Sequence, residues 1–212
     1  MSDLFLRTPF WIRWYNRQAL YQTGDKRILL TFDDGPHPRW TPQLLKTLDR
    51  FNLQGLFFLR GDHLQQYPDI AREAIDAGHQ LCLHGMYHKS ILLRSESVIR
   101  EELQTQLRLF KELNLPTPIY ARPPYGYFMR PYQRAVRSLL LTNMLWNLGV
   151  KDYKCENGKI ILRRLLKLQQ PGDIILLHDN SRCAGQMLTN LSDYIETSHE
   201  RGIRFVSRGE KI

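Results

Sequence analysis

Asp33 and Asp34 are adjacent carboxylates that follow an apolar, β-prone stretch, Arg27-Ile28-Leu29-Leu30-Thr31-Phe32, and Gly35-Pro36 turn the chain directly after them. Two like charges side by side at a strand end repel unless a cation holds them, so a metal ion or an arginine is expected nearby. The chain supplies candidates for both. His84 and His88 stand four residues apart in His84-Gly85-Met86-Tyr87-His88, and Arg122 opens Arg122-Pro123-Pro124-Tyr125-Gly126. Leu176-Leu177-His178-Asp179 lies downstream. Two imidazoles and one carboxylate make a facial ligand set with positions left for water and substrate. Zn²⁺ is the default occupant of such a set, and Fe²⁺, Co²⁺, Ni²⁺ or Mn²⁺ suit the same donors. The leading expectation is a metal-dependent hydrolase.

Residues far apart in sequence need a fold that gathers them. Beyond about residue 25, strand-like and helix-like patterns alternate. Strands are expected at Ile28–Phe32, Gly55–Leu59, His79–His84, Pro118–Arg122, Asn143–Leu148, Ile174–His178 and Ile203–Val206. Between them, Thr41 and Pro42 read as the N-cap and first position of a helix, and Pro68 starts another that Gly78 closes. Val98, Ile99, Leu103, Leu107 and Phe110 mark a longer amphipathic helix, and residues 159–169 and 184–200 read as two more. Seven strands alternating with helices predict a mostly parallel α/β sheet. Asp33, His84, Arg122 and His178 all fall at or just beyond strand ends. A parallel barrel opens every such end on one face, whereas an open doubly wound sheet would spread them along a line.

The spaced motifs resemble those of the polysaccharide deacetylase family, the NodB-homology domain of carbohydrate esterase family 4. The matching segments are Thr31–Pro36, His84–His88, Arg122–Gly126, Asp152-Tyr153 and Leu176–His178, in the family's order and across roughly residues 27 to 208. The resemblance implies a distorted (β/α)7 barrel and removal of an N-acetyl group from an amino sugar in a polysaccharide, oligosaccharide or glycolipid precursor. It implies that Asp34, His84 and His88 hold one divalent metal ion. Asp33 would be the general base, oriented by Arg122. The backbone N–H of Tyr125 would help stabilise the oxyanion. His178 would protonate the leaving amine, with its pKa raised by Asp152. Three positions depart from the family pattern. Gly85 stands where a Ser or Thr usually braces the loop, Leu83 where Asn is frequent, and Tyr153 where Trp is usual. Two rivals remain: a hydrolase of a small cyclic amide, as in allantoinase-like relatives, and a catalytically silent glycan-binding barrel.

Taken singly, each motif has a plainer reading. Asp33 or Asp34 would fit a turn cap, Arg122 a surface ion pair, and Asp179 or Asn180 the N-cap of a helix. His37, His63, His79 and His199 read as structural or surface residues. Trp40, Tyr87, Tyr125 and Tyr127 are aromatic candidates for stacking on a sugar ring.

The rest of the chain bounds the answer. Its 212 residues suffice for one sizeable domain, and 42% apolar with 24% charged residues is ordinary for a globular protein. The expected organisation is an N-terminal segment, residues 1–24, packed on a catalytic domain of residues 25–212. A formal charge of +9 favours anionic partners, but none of the usual nucleic-acid-reading motifs is present, so no nucleic acid is expected. Cys82, Cys155 and Cys183 form no CxxC pair, and their odd, sparse count fits a reducing compartment. With no signal-peptide pattern and no apolar run of membrane-spanning length, a cytoplasmic location is expected. Phe10, Trp11, Ile12, Trp14 and Tyr15 with Arg13 and Arg17 have the composition of a membrane-surface segment, though irregular spacing favours packing against the domain.

Overall fold

The computed structural model describes residues 6–127, 129–154, 157–180 and 183–210. Its strands are β1 (Leu29–Asp33), β2 (Gly55–Leu59), β3 (Gln80–Leu83), β4 (Tyr120–Ala121), β5 (Thr142–Asn143), β6 (Leu148–Gly149) and β7 (Ile174–His178). The helices are α1 (Phe10–Tyr15), α2 (Trp40–Arg50), α3 (Gly61–Gln66), α4 (Pro68–Asp76), α5 (Glu96–Glu112), α6 (Arg130–Ser138), α7 (Gly158–Leu168) and α8 (Ala184–Glu200). The sheet runs β5-β4-β3-β2-β1-β7-β6 with every pairing parallel. This is a distorted (β/α)7 barrel.

Side chains on a strand alternate between faces, and here that period sorts the core into two parts. Leu30, Phe32, Phe57 and Ile175 point outward and pack with helix residues such as Leu44, Leu48, Leu191 and Ile195. Leu29, Leu56, Phe58, Cys82, Met144 and Ile174 form a separate cluster inside the barrel. Asp33 shares a face with Leu29, and His178 shares one with Ile174. The same alternation that buries the interior cluster therefore aims both polar residues into the barrel mouth. All five residues of β1 are buried, as expected for a parallel strand covered on both sides.

Two expected strands take another form. Asn143–Leu148 is split into β5 and β6, because residues 144–147 turn back between two strands that do not pair with each other. Ile203–Val206 does not join the sheet, and Phe205 makes only an isolated bridge to Ile28. The expected Thr41 cap is also absent: α2 begins at Trp40 without a side-chain cap, and Thr41 turns to Asp179 instead.

The gap between β5 and β6 is spanned by the N-terminal segment. The Thr8 N–H donates to the Asn147 carbonyl at 3.0 Å, and the Gly149 N–H donates to Leu6 at 2.8 Å. The Leu20 N–H donates to the Asn143 carbonyl at 2.8 Å, and the Leu20 carbonyl accepts from the Leu145 N–H at 2.9 Å. Backbone groups that an unclosed edge would leave unpaired are satisfied this way. Arg7 fastens the segment by donating to both carboxylate oxygens of Asp173, at 2.8 and 3.0 Å. Asp173 is fully buried and also accepts from Asn147 Nδ2 at 2.7 Å. Cys82 is free and buried, with its thiol pKa pushed up by burial, whereas Cys183 is disulfide-bonded.

Arg7→Ala should cost about 1–3 kcal/mol of unfolding free energy, because it strips a buried carboxylate of its charged donor while the partly exposed arginine limits the loss. Urea denaturation monitored by fluorescence reads this directly, and an unchanged midpoint would contradict the role given to the segment.

Candidate active site

Strand register brings the site together. Asp33 and His178 are direct neighbours across the β1–β7 pairing. Leu83 pairs with Ala121 across β3 and β4, so the residues that follow them, His84 and Arg122, leave the sheet side by side. The last strand bonds are continued by the site residues: His84 N–H donates to Leu59 at 3.0 Å, Arg122 N–H to Leu83 at 2.9 Å, and Asp34 N–H to Phe58 at 3.2 Å.

Arg122 is completely buried. Its guanidinium donates to Asp33 Oδ1 at 2.6 Å and to Thr31 Oγ1 at 3.0 Å from one nitrogen, and to the Met144 and Leu145 carbonyls at 3.0 and 3.3 Å from the others. It also stacks over the Phe58 ring at 3.8 Å. Asp33 is thereby fixed through one oxygen, and its other oxygen lies 3.6 Å from His84 Nε2.

Asp34 faces the two imidazoles. Its Oδ1 lies 3.6 Å from His84 Nε2 and 3.3 Å from His88 Nε2. One ligating atom from each of Asp34, His84 and His88 falls within 4.8 Å of the other two. His84 Nδ1 contacts the Arg122 carbonyl at 3.0 Å, which assigns the proton to Nδ1 and leaves Nε2 as a lone-pair donor. Asp34 Oδ1 is buried and has no hydrogen-bond partner. An orphaned carboxylate oxygen between two imidazole nitrogens is what a cation-binding set looks like without its ion, so the residues fit a divalent metal. Burial works against the charged form of Asp34, but His84, His178, His88 and Arg60 outweigh it and hold the pKa below the usual carboxylate value. Burial lowers the pKa of His88, which favours the neutral, ligating imidazole.

On the other side, His178 Nδ1 contacts Asp152 Oδ1 at 2.9 Å, and Asp152 Oδ2 accepts the His178 backbone N–H at 2.7 Å. Asp152 begins a short 3₁₀ turn, Asp152–Lys154, and is buried. Burial alone would depress the His178 pKa, but the Asp152 charge and hydrogen bond, followed by Asp34 and Asp33, raise it to about 9. The Tyr153 ring meets His178 edge-on at 5.2 Å, so the tyrosine occupies the supporting position despite its smaller size.

Tyr125 sits in the turn Pro124–Gly126 at φ 62°, with its ring edge-on to His88 at 4.6 Å. Tyr87 and Tyr125 are exposed beside the site, with the Lys89 ammonium over the Tyr87 ring at 5.4 Å. Trp40 is less available, because Arg39 covers its ring at 4.2 Å.

Several supporting residues carried no signal in the sequence. His63 Nδ1 and Asn180 Nδ2 both reach the Asp34 carbonyl, at 2.9 and 3.1 Å, and steady a residue held at φ 76°. Neither Asp179 nor Asn180 caps α8, whose N-cap is Cys183. Asp179 is buried under the Asp33–Pro36 turn, where Thr41 Oγ1 donates to it at 2.5 Å. A Cβ at Gly35 would lie 2.5 Å from its carboxylate, which is why this turn requires glycine. Burial and then the Asp34 charge raise the Asp179 pKa to about 7 despite the Thr41 hydrogen bond. Glu102 of α5 answers the departure at Gly85. Its Oε1 accepts the Met86 N–H at 3.0 Å, and its other oxygen is paired with Arg94. The Gly61 and Asp62 N–H groups hold the Gly85 and Met86 carbonyls at 2.9 Å. The loop between the two histidines is thus braced without a hydroxyl at position 85.

The sequence profile of the polysaccharide deacetylase family matches residues 21–144, and the chain belongs to that family. It is 33% identical over 193 residues to the peptidoglycan-N-acetylglucosamine deacetylase PgdA of Listeria monocytogenes, covering 89% of this chain and 40% of that longer protein. Among solved structures, the Bc1960 peptidoglycan N-acetylglucosamine deacetylase superposes with a TM-score of 0.86 at 25% identity, over 94% of both chains. A CE4 family pseudoenzyme of Bacillus anthracis shares the fold with a TM-score of 0.81 at 21% identity, over 88% of this chain and 66% of that one. A shared fold therefore does not by itself carry activity; the side chains of the site decide it.

Glu102→Ala should weaken Zn²⁺ affinity about 10–100-fold, the usual cost of losing an outer partner of a ligand loop, with the fold retained. Competition titration against a chromogenic chelator, run beside circular dichroism, checks this.

Proposed function

We propose that this protein is a metal-dependent hydrolase that removes the acetyl group from an N-acetylated amino sugar in a glycan or glycolipid precursor. The observation that carries the reading is the orphaned Asp34 oxygen between His84 and His88, flanked by an arginine-held carboxylate and by a histidine paired to a second carboxylate. The deacetylase relatives named above support the substrate class, and the full set of side chains argues against a silent barrel.

An amide resists hydrolysis because its carbonyl is weakly electrophilic and its amine leaves poorly. A divalent cation held by Asp34, His84 and His88, in our reading Zn²⁺, would supply Lewis acidity that polarises the acetyl carbonyl and acidifies water. Asp33 takes a proton from the attacking water. Arg122 fixes the Asp33 carboxylate so that one oxygen stays aimed at the reacting centre. The Tyr125 N–H donates to the oxyanion as it develops. His178 enters the reaction protonated and gives that proton to the amine nitrogen as the C–N bond breaks. The two halves are complementary: the environment favours the anionic carboxylate of Asp34 on one side and the protonated imidazolium of His178 on the other. Tyr87 and Tyr125 offer faces to the sugar ring.

Acetate release from N-acetylglucosamine oligomers by the Zn²⁺-loaded protein tests the reading, and no release from any N-acetylated glycan would refute it. Asp33→Asn keeps an oxygen for Arg122 but removes the base. It should retain one Zn²⁺ while kcat falls by about 10²–10⁴.

His178 works as an acid only while protonated, so activity should be present below its pKa and lost as pH rises through it. That places the basic limb at or below about 9, since a bound dication offsets part of the contribution of Asp34 and Asp33. Asp152→Asn removes the main raising influence and should move the limb toward or below the ordinary imidazole value, as read from a pH profile of kcat/KM. An unmoved limb would reassign the acid.

A further inference from the structure

Helix α1 turns its aromatic face away from the protein. Ile12 is its buried residue, while Phe10, Trp11 and Trp14 are 73%, 58% and 67% exposed. The segment is nevertheless firmly held, because the chain on either side of the helix is bonded into the seam between β5 and β6. The rings are therefore presented outward on a fixed support. Leaving rings as large as those of Phe10 and Trp14 mostly in water forgoes hydrophobic burial, which suggests that another surface covers them.

Beside this face lies a cavity of about 620 Å³, between residues 15–18 and α6. Four arginines line it: Arg17, Arg130, Arg134 and Arg137. Arg134 pairs with Glu96. Among the described residues, no carboxylate pairs with the other three. The wall is set by buried Asn16 and Gln133, with Gln133 Nε2 donating to Asn16 Oδ1 and Asn16 Nδ2 donating to the Tyr21 hydroxyl. Tyr15 belongs both to the helix and to the cavity lining, so rings and guanidinium groups form one continuous surface.

We propose that α1 and this cavity together form a docking surface for an anionic phospholipid bilayer, with the rings inserted at the headgroup level and lipid phosphates engaged by Arg17, Arg130 and Arg137. Charge complementarity selects the occupant. A soluble anion would account for the arginines but leave the rings bare. A single-stranded nucleic acid stacks bases along a groove that follows its backbone, whereas these rings sit together on one short helix and enter a surface at one depth. Amphipathic aromatic rings at the interface, with cationic groups reaching anionic headgroups, are how a protein rests on a membrane without spanning it. No described helix is long and apolar enough to cross one. The proposal concerns a face of its own and does not rest on the deacetylase reading.

The test is co-sedimentation of the full chain with vesicles of phosphatidylcholine alone, or of phosphatidylcholine with phosphatidylglycerol, at physiological salt. The wild type should pellet with the anionic vesicles at least tenfold more tightly than with the neutral ones, with a blue shift of tryptophan emission. Arg130→Gln with Arg137→Gln should weaken this about fivefold for each charge removed. Phe10→Ser with Trp14→Ser should lower it about tenfold or more, with an unchanged thermal midpoint showing an intact fold. Failure to pellet with either vesicle, or equal binding by both double variants and the wild type, would overturn the proposal. So would binding of inorganic phosphate or a single-stranded oligonucleotide without vesicle binding.

Discussion

A fully buried guanidinium is the constraint around which this site is organised. Taking an arginine out of water costs several kcal/mol unless its charge and every N–H are answered. Arg122 is answered by Asp33, Thr31 and two carbonyls of the chain turning between β5 and β6. Those partners come from opposite parts of the barrel, so balancing the charge fixes their relative positions. The arrangement also constrains Asp33. One oxygen is committed to Arg122, and the other is left near His84, beside the ligand set.

The neighbouring carboxylate has the opposite fate. Asp34 is turned by a left-handed backbone conformation, and its carbonyl is held by His63 and Asn180. Its Oδ1 has no hydrogen-bond donor among the described residues. Two adjacent aspartates in one turn thus differ in what satisfies them: an arginine for one, imidazoles and room for a cation for the other. That difference lets identical side chains take separate roles, and it arises from backbone direction rather than from residue type. Asp179 beneath the turn adds a third carboxyl to the same small volume. Its raised pKa follows from burial and from the Asp34 charge, so the cluster limits how much negative charge it holds at once.

Much of this was legible in the sequence, for a specific reason. Polar residues at the ends of apolar strands stand out, and a parallel barrel opens those ends on one face, so Asp33, His84, Arg122 and His178 could be placed together from position alone. The continuous apolar runs of β1, β2 and β7 and the helical patterns of α4, α7 and α8 gave their positions to within about two residues. What failed to show was set by distant contacts. The chain between residues 143 and 148 is apolar enough for one strand, but it must supply carbonyls to Arg122 and then reverse, so it forms two short ones. Thr41 has the composition of a cap, yet a buried carboxylate 138 residues away claims its hydroxyl. Glu102 and His63 look like ordinary helix residues until the loops they brace are folded against them.

The aromatic cluster near the N-terminus shows the same limit in another form. Its irregular spacing argued for packing, and part of the segment is indeed packed: Ile12, Ala19 and Tyr21 are buried, and the backbone closes the seam. The spacing is irregular because the segment does two jobs in succession rather than one periodic job. Residues on either side of α1 supply backbone groups to two sheet edges, where side-chain identity matters little. Within the helix between them Ile12 is the buried residue, and folding leaves Phe10 and Trp14 largely exposed. Large rings at unconstrained positions bring no stability to the barrel and carry a solubility cost. Their presence next to three arginines that no carboxylate pairs with among the described residues is thus better explained by an external anionic surface than by the fold.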